Sequence, residues 1–150
     1  METIIRRATK EDCPRIIELI RELADYERMP NEVNVSLSHF EESAFGTNPV
    51  CWAFVAEIDD VIYGFALYYI RYSTWKGQRM YLEDIYVVPE KRRQGIGKLL
   101  FEQLIIEAKA RNFSGINWQA LNWNELALGF YRKYYKANFD PTWVNCSIEV

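Results

Sequence analysis

The sequence predicts an α/β fold of the α+β, mixed-sheet kind, and three observations carry that reading. Short β-branched and aromatic runs alternate with runs of helical spacing, in the order β-α-α-β-β-β-α-β-α-β. That order puts helices on the faces of a mixed sheet and matches neither a doubly wound nor a barrel pattern. One segment, Tyr81 to Arg111, reads as a strand that runs through a charged loop with two glycines straight into an apolar helix. The chain has 150 residues, 49% hydrophobic and 26% charged, which suits a single domain over 1–150 with a core that needs no staples.

Each element has a local reason. Thr3 to Arg7 is short and β-branched, hence a strand. Thr9-Lys10-Glu11-Asp12 is a capping-box pattern, and Pro14 in the following turn places a helix start near Asp12. Ile16, Ile17, Ile20, Leu23 and Ala24 keep helical spacing until Met29-Pro30. Ser36 to Ala44 is a second helix, stopped by Gly46 and Pro49. Cys51 to Ile58 and Val61 to Tyr72 form a hairpin over the turn Asp59-Asp60. Trp75-Lys76-Gly77 turns into the strand Arg79 to Val88, ended by Pro89. After the glycine loop come a helix over Lys98 to Arg111 and a strand over Gly115 to Leu121. A helix over Glu125 to Tyr134, capped by Asn124 or Asn122, follows. Thr142 to Glu149 is expected to close the sheet as a last strand.

Composition excludes several function classes. Net charge is −3 with one histidine, His39, and no basic face stands out, so nucleic acid is not an expected partner. Cys13, Cys51 and Cys146 are scattered, form no CxxC pair and do not resemble a zinc site, so no metal is expected. An odd cysteine count suits a reducing compartment. The segment Met1 to Arg7 lacks the long apolar stretch of a signal peptide, and no run of 18 apolar residues occurs. A cytoplasmic protein without membrane contact is the expectation.

The most informative stretch is Val87-Val88-Pro89-Glu90-Lys91-Arg92-Arg93-Gln94-Gly95-Ile96-Gly97, with Lys98 opening the helix behind it. A helix N-terminus here points its unpaired N–H groups and partial positive charge outward. Gly95 and Gly97 permit close backbone approach and positive φ, and Arg92 and Arg93 can pair with phosphate oxygens. Together these make a pyrophosphate cradle. There is no GK[ST] and no third glycine at GxGxxG spacing, which excludes the common nucleotide motifs.

Two further segments carry chemistry. Tyr81-Leu82-Glu83-Asp84-Ile85-Tyr86-Val87 is a strand with adjacent acids, which point to opposite faces unless a bulge intervenes. One reading pairs one acid with a base and exposes the other. The functional reading has at least one of them bind or deprotonate a cationic amine. Freeing an ammonium lone pair near pH 7 costs roughly 4–5 kcal/mol, which a carboxylate can meet directly or through water. In Asn124-Glu125-Leu126-Ala127-Leu128-Gly129-Phe130-Tyr131, helical spacing sets Asn124, Ala127 and Tyr131 on one face. Tyr131 is either one ring of an aromatic cluster with Tyr134 and Tyr135, or a proton donor to a departing thiolate.

These segments, in this order, resemble the GNAT superfamily of acyl-CoA N-acyltransferases. The resemblance is to its diamine acetyltransferases, the spermidine/spermine enzymes and their thialysine-acetylating relatives. It rests on Leu19 to Ala24 with Tyr26-Glu27, on Phe45 to Pro49, on Tyr72 to Gly77 joined to Tyr81 to Val87, and on Trp123-Asn124-Glu125 with Trp143. It implies a GNAT fold and direct acetyl transfer in a ternary complex, from acetyl-CoA as cosubstrate to a primary amine of a small cationic molecule, without metal. It further implies that the backbone of Ile85, Tyr86 and Val87 holds the pantetheine arm. Arg92, Arg93, Gln94, Gly95, Ile96, Gly97 and Lys98 would hold the pyrophosphate, with Asn124 at the cosubstrate. Tyr131 would protonate the CoA thiolate, and Glu83 would draw the amine proton. Glu27, Trp75 and Asp84 would shape the amine site, and the assembly would be a homodimer. Polyamine-specific members carry an acid where this chain has Ser73, and Ser73-Thr74 is similar to the thialysine branch. Arg93 and Tyr135 stand where the family often has glycine. The alternatives are a protein or peptide N-acetyltransferase and a non-catalytic acyl-CoA-binding sensor.

Overall fold

The computed structural model describes residues 2–150 and divides into two compact units, Met1–Gln119 and Ala120–Val150. In the first, β1 (Ile4–Arg7) leads through a 3-10 turn to α1 (Cys13–Tyr26) and α2 (Leu37–Phe45). Then come β2 (Trp52–Ile58), β3 (Val61–Ser73), β4 (Gly77–Val87), α3 (Ile96–Ala110) and β5 (Ile116–Trp118). The strands lie in the order β1-β2-β3-β4-β5; the first four are antiparallel and β5 is parallel to β4. The second unit holds α4 (Glu125–Tyr135). No helix of the described residues is long and apolar enough to cross a membrane.

Local chemistry explains the starts. The Thr9 N–H donates to the Asp12 carboxylate at 2.8 Å, and Pro14 sits in the first turn of α1. The Ser36 hydroxyl accepts from His39 N–H and caps α2, and the Asn124 carbonyl accepts from Ala127 N–H and caps α4. The hairpin β2–β3 turns through Asp59 and Asp60, both left-handed at φ 49° and 65°, where short polar side chains are tolerated.

The sheet has two differently built faces. On one, Ala53, Val55, Phe65, Leu67 and Tyr86 pack with Ile16, Ile17 and Leu19 of α1 and Phe40 of α2. On the other, Tyr68 reaches α3, donating its hydroxyl to Glu107 at 2.6 Å. Glu107 also accepts from Arg7 of β1 at 2.9 Å, and Arg111 donates to the Tyr68 hydroxyl at 2.7 Å while its guanidinium lies over Trp52. This buried network ties α3 to β1 and β3. Burial works to raise the Glu107 carboxyl, but the bonds from Arg7 and Tyr68 outweigh it and leave the group low.

Two expectations are corrected. Thr142 to Glu149 forms no strand, and Trp143, Val144 and Ile148 are 73, 83 and 86% exposed. A β-branched run can supply a face but not a partner, and a strand exists only as part of a ladder. The fifth strand is three residues, Ile116–Trp118, where Gly115 to Leu121 was expected. Its partner β4 bulges immediately after Leu82, so the parallel ladder has nothing to continue along.

Replacing Glu107 with Ala strands Arg7 and leaves the Tyr68 hydroxyl without its acceptor. The expected loss is roughly 2–4 kcal/mol by urea denaturation, against under about 0.5 kcal/mol for Glu18→Ala in its exposed pair with Arg15. Equal effects at the two positions would refute the network's role.

Candidate active site

The site begins with a bulge. Leu67 of β3 pairs with Asp84 of β4, but its neighbour Tyr68 pairs with Leu82, so Glu83 is an extra residue. Cross-strand partners share a face. Leu82 therefore lies with Tyr68 on the α3 side, while Asp84 lies with Leu67 on the α1–α2 side. Tyr81, paired with Tyr69, lies on the α1–α2 side as well. Simple alternation would send Asp84 to the opposite face from Glu83; the bulge instead brings both acids to the α1–α2 face.

Glu27 completes a group of three. It closes the C-terminus of α1, and burial followed by the charge of Glu83 raises its carboxyl above the ordinary range. Asp84 is pushed up to about 7, by burial first and then by the charges of Glu83 and Glu27. Glu83 is exposed. Asp84 lines a cavity of about 270 Å³, with Ile17 and Ile20 of α1, Phe40 of α2 and Leu67 of β3 among its walls. Three carboxylates crowd one another here beside apolar side chains, so the arrangement favours a cationic guest.

The same bulge opens the other edge of β4. Pairing with β5 runs through Met80, Tyr81 and Leu82 and stops, so Ile85, Tyr86 and Val87 pair with β3 alone. The peptide groups that alternate along the opened edge can take an extended, amide-bearing ligand as an added strand. Tyr86 turns its ring toward α1, with its hydroxyl donating to Glu22 at 3.2 Å.

The loop that follows is locked to this strand. Arg92 donates its Nε–H to the Val87 carbonyl at 2.8 Å, and its guanidinium stacks over Tyr26 at 5.1 Å and Tyr86 at 5.3 Å. Arg92 is thus a tether as well as a candidate anion ligand. Arg93 sits at φ 64°, a left-handed conformation that glycine adopts without strain. Gly95, at φ 79°, is the N-cap of α3, and its carbonyl accepts the first helical bond, from Leu99 N–H at 3.0 Å. Arg93, Gln94 and Gly95 are exposed, and Ile96 is buried beneath them as the anchor of the helix start. Nothing in the protein lies within 4 Å of where a Cβ on Gly97 would sit, so packing does not demand that glycine.

In the second unit, the N-cap Asn124 and, within α4, Ala127, Leu128, Phe130, Tyr131 and Tyr135 are the less exposed positions, and Tyr131 is buried. Tyr131 lies edge-on to Phe130 at 5.7 Å, and Phe130 also meets Tyr134 and Tyr135. The aromatic cluster is present, with Phe130 at its centre. Trp75 stands apart from the acids. It lies in the β3–β4 turn, 82% exposed, beyond a run of β4 from Gly77 to Asp84 that spans roughly 20 Å. The Ser73 hydroxyl accepts from the N–H groups of Trp75 and Lys76, so it shapes this turn. The cavity walls at Val33, Val35 and Cys51 had no sequence signal, because they come from a patternless loop and a strand edge.

The site thus combines a bulged strand, an opened edge leading to a glycine-bearing helix start, and carboxylates on one strand face. Residues 15–135 match the Acetyltransferase (GNAT) family. The chain belongs to that family and is an N-acetyltransferase. It is 39% identical to the thialysine N-epsilon-acetyltransferase of Bos taurus over 137 residues, covering 86% of this chain and 81% of that protein. It is 32% identical to the human spermidine/spermine N(1)-acetyltransferase-like protein 1, covering 85% of this chain and 19% of that protein. Among solved structures, a soil-metagenome aminoglycoside acetyltransferase in complex with sisomicin superposes with a TM-score of 0.81 at 23% identity, covering 98% of this chain and 97% of that one.

Asp84 generates a pH-dependent stability. Its ordinary value is 3.8 and its folded value about 7. Between these the unfolded chain has released the proton while the folded chain keeps it, so stability falls as pH rises through that window and levels off above it. Asp84→Asn should melt several degrees above the parent chain at pH 8, with the gap closing toward pH 4. Parallel melting curves across that range would overturn the assignment.

Proposed function

We propose that the protein moves an acetyl group from acetyl-CoA directly to a primary amine of a small cationic substrate, thialysine- or lysine-like or a short diamine, in a ternary complex. The observation that carries this reading is the β4 bulge, which sets an open strand edge on one side of the strand and three clustered carboxylates on one of its faces. The identity to thialysine N-epsilon-acetyltransferase supports the substrate class.

The residues present fit the cosubstrate. The opened edge at Ile85, Tyr86 and Val87 suits the two amides of a pantetheine arm. The α3 N-terminus with Gly95, Ile96, Gly97 and Lys98, and the side chains of Arg92, Arg93 and Gln94, suit its pyrophosphate. Open space at Gly97 leaves room for close approach. Acetyl-CoA supplies an acetyl group already activated as a thioester.

The chain's own groups handle protons and position. Glu83, exposed beside the half-buried Asp84, accepts the proton of the ammonium through water and frees the lone pair for attack. Glu27 and Asp84 hold the cation. Tyr131 donates its hydroxyl proton to the departing thiolate, a transfer that a thiol near 8.5 and a phenol near 10 allow once the thiolate is shielded from water. Asn124, the N-cap of α4 on the same face as Tyr131 and about two turns before it, joins it at the cosubstrate. We also propose that the 150 residues act as one catalytic domain, since the family match runs from α1 into α4. The working form is a cytoplasmic homodimer, in keeping with three free cysteines. Trp75 reaches an amine site only from a second copy, given its distance from Asp84 along β4.

Two variants separate binding from chemistry. Tyr131→Phe should hold acetyl-CoA within about twofold by calorimetry and lose turnover by about a hundredfold or more; unchanged turnover would sink the general-acid role. Gly97→Ala should stabilise the fold by about 0.5–1 kcal/mol and weaken acetyl-CoA binding by about tenfold, since the added methyl displaces the anion from the helix start. Full affinity in that variant would remove the α3 N-terminus from the cosubstrate site.

A further inference from the structure

Two tyrosines hold the arginine that opens the loop before α3. The Nε–H of Arg92 is committed to the carbonyl of Val87, the last residue of β4, and its guanidinium lies over the rings of both Tyr26 and Tyr86. Arg92 is half-buried, whereas Arg93, Gln94 and Gly95 behind it are exposed, and Arg93 and Gly95 are both left-handed. α1 supplies this clasp from one side. Glu22 and Tyr26 stand four residues apart, hence on one helix face. Tyr26 meets Arg92, while Glu22 accepts from the Tyr86 hydroxyl and pairs with Arg15 at 3.7 Å. Tyr86 is buried in the core, but Tyr26 is the last residue of α1 and 37% exposed, so its ring does little for the core. Its sequence neighbour Glu27 belongs to the acid group, so the end of α1 touches both halves of the site.

We propose that Tyr26 is a positioning residue for the cosubstrate loop: with Tyr86 it holds the Arg92 guanidinium, and so fixes the course of residues 93–97 before the anion arrives. The proposal rests on the acetyl-CoA reading above and deepens it. One hydrogen bond to Val87 leaves a guanidinium free to pivot, and contact with two aromatic rings removes that freedom. Beyond Arg92 the chain turns on exposed residues that bury little and so hold little. A loop that must be ordered on binding costs affinity, and one ordered beforehand does not. Tyr26 therefore acts on cosubstrate affinity and not on the chemical step, which belongs to groups on β4 and α4. The role also requires arginine at position 92, since lysine keeps the charge but has neither the Nε donor nor a planar face.

Tyr26→Leu, Tyr26→Phe, Arg92→Lys and the double variant Tyr26→Leu/Arg92→Lys test it. In Tyr26→Leu the Kd and KM for acetyl-CoA should rise about fivefold while kcat stays within about twofold, since lost preorganisation is lost affinity. Amide hydrogen exchange over residues 92–97, followed by mass spectrometry on the free protein, should quicken about fivefold or more. Tyr26→Phe should return both readings to those of the parent chain, because it keeps the ring that meets Arg92. Arg92→Lys should weaken acetyl-CoA binding at least as much as Tyr26→Leu does. Adding Tyr26→Leu to it should then change affinity by less than about twofold, because the two side chains act as one. Parental exchange and affinity in Tyr26→Leu, or losses that multiply in the double variant, would overturn the positioning role and leave the acetyl-CoA reading standing. If exchange quickens as expected but the parent chain binds no acetyl-CoA, the cosubstrate reading falls and this inference with it.

Discussion

One extra residue in β4 organises the functional half of this molecule. With Glu83 unpaired, the strand flips its facing between Leu82 and Asp84, and two consequences follow at the same point. Asp84 and Tyr86 turn from the α3 side to the α1–α2 side, where the register before Leu82 would not have put them. The ladder to β5 ends, because a strand that twists away no longer presents its peptide groups at the spacing β5 requires. An acid cluster on a face and an open strand edge are therefore one structural event.

The two faces of the sheet show how a carboxylate drawn out of water becomes structural or available. Glu107, on the α3 side, is met by Arg7 and Tyr68 and backed by Arg111, and its carboxyl ends below the ordinary range. Asp84, on the α1–α2 side, has Glu83 and Glu27 as its charged neighbours and ends near 7. Burial acts in the same direction on both; the partners decide the sign. A fold that satisfies one buried acid so fully and leaves three others crowded together concentrates its electrostatic cost in one place, where a cationic guest relieves it.

Sequence made the loop proposed for the cosubstrate legible and the face proposed for the acceptor only partly so. The loop from Arg92 to Gly97 could be read because its requirements are backbone requirements: a glycine at a left-handed N-cap, a helix start, and arginines nearby. Even there, the tether from Arg92 to the Val87 carbonyl and the left-handed turn at Arg93 were invisible, since they depend on where β4 ends. Glu83 and Asp84 could be singled out as costly, but their shared face could not, because a bulge leaves no periodic mark when every neighbour is apolar or aromatic. The last strand failed for the opposite reason. Thr142 to Glu149 has β-forming residues, and propensity says nothing about whether an edge is there to receive them.

The division between halves also explains why fold similarity runs so far ahead of sequence similarity. Aminoglycoside acetyltransferases superpose on nearly the whole chain at under a quarter identity. Peptide groups, helix ends and a bulge can hold the same cosubstrate in many sequences, because the parts that matter are main-chain atoms. The acceptor cannot be recognised that way. The cavity beside Asp84 is lined by side chains from the 31–36 loop, the residue before β2 and the strand face. In this chain the loop residues are valines and the strand-edge residue a cysteine, so the pocket that the bulge opens is apolar up to one carboxylate. Substrate choice in such a fold is therefore written in a handful of loop side chains, while the chemistry stays with the strand they face.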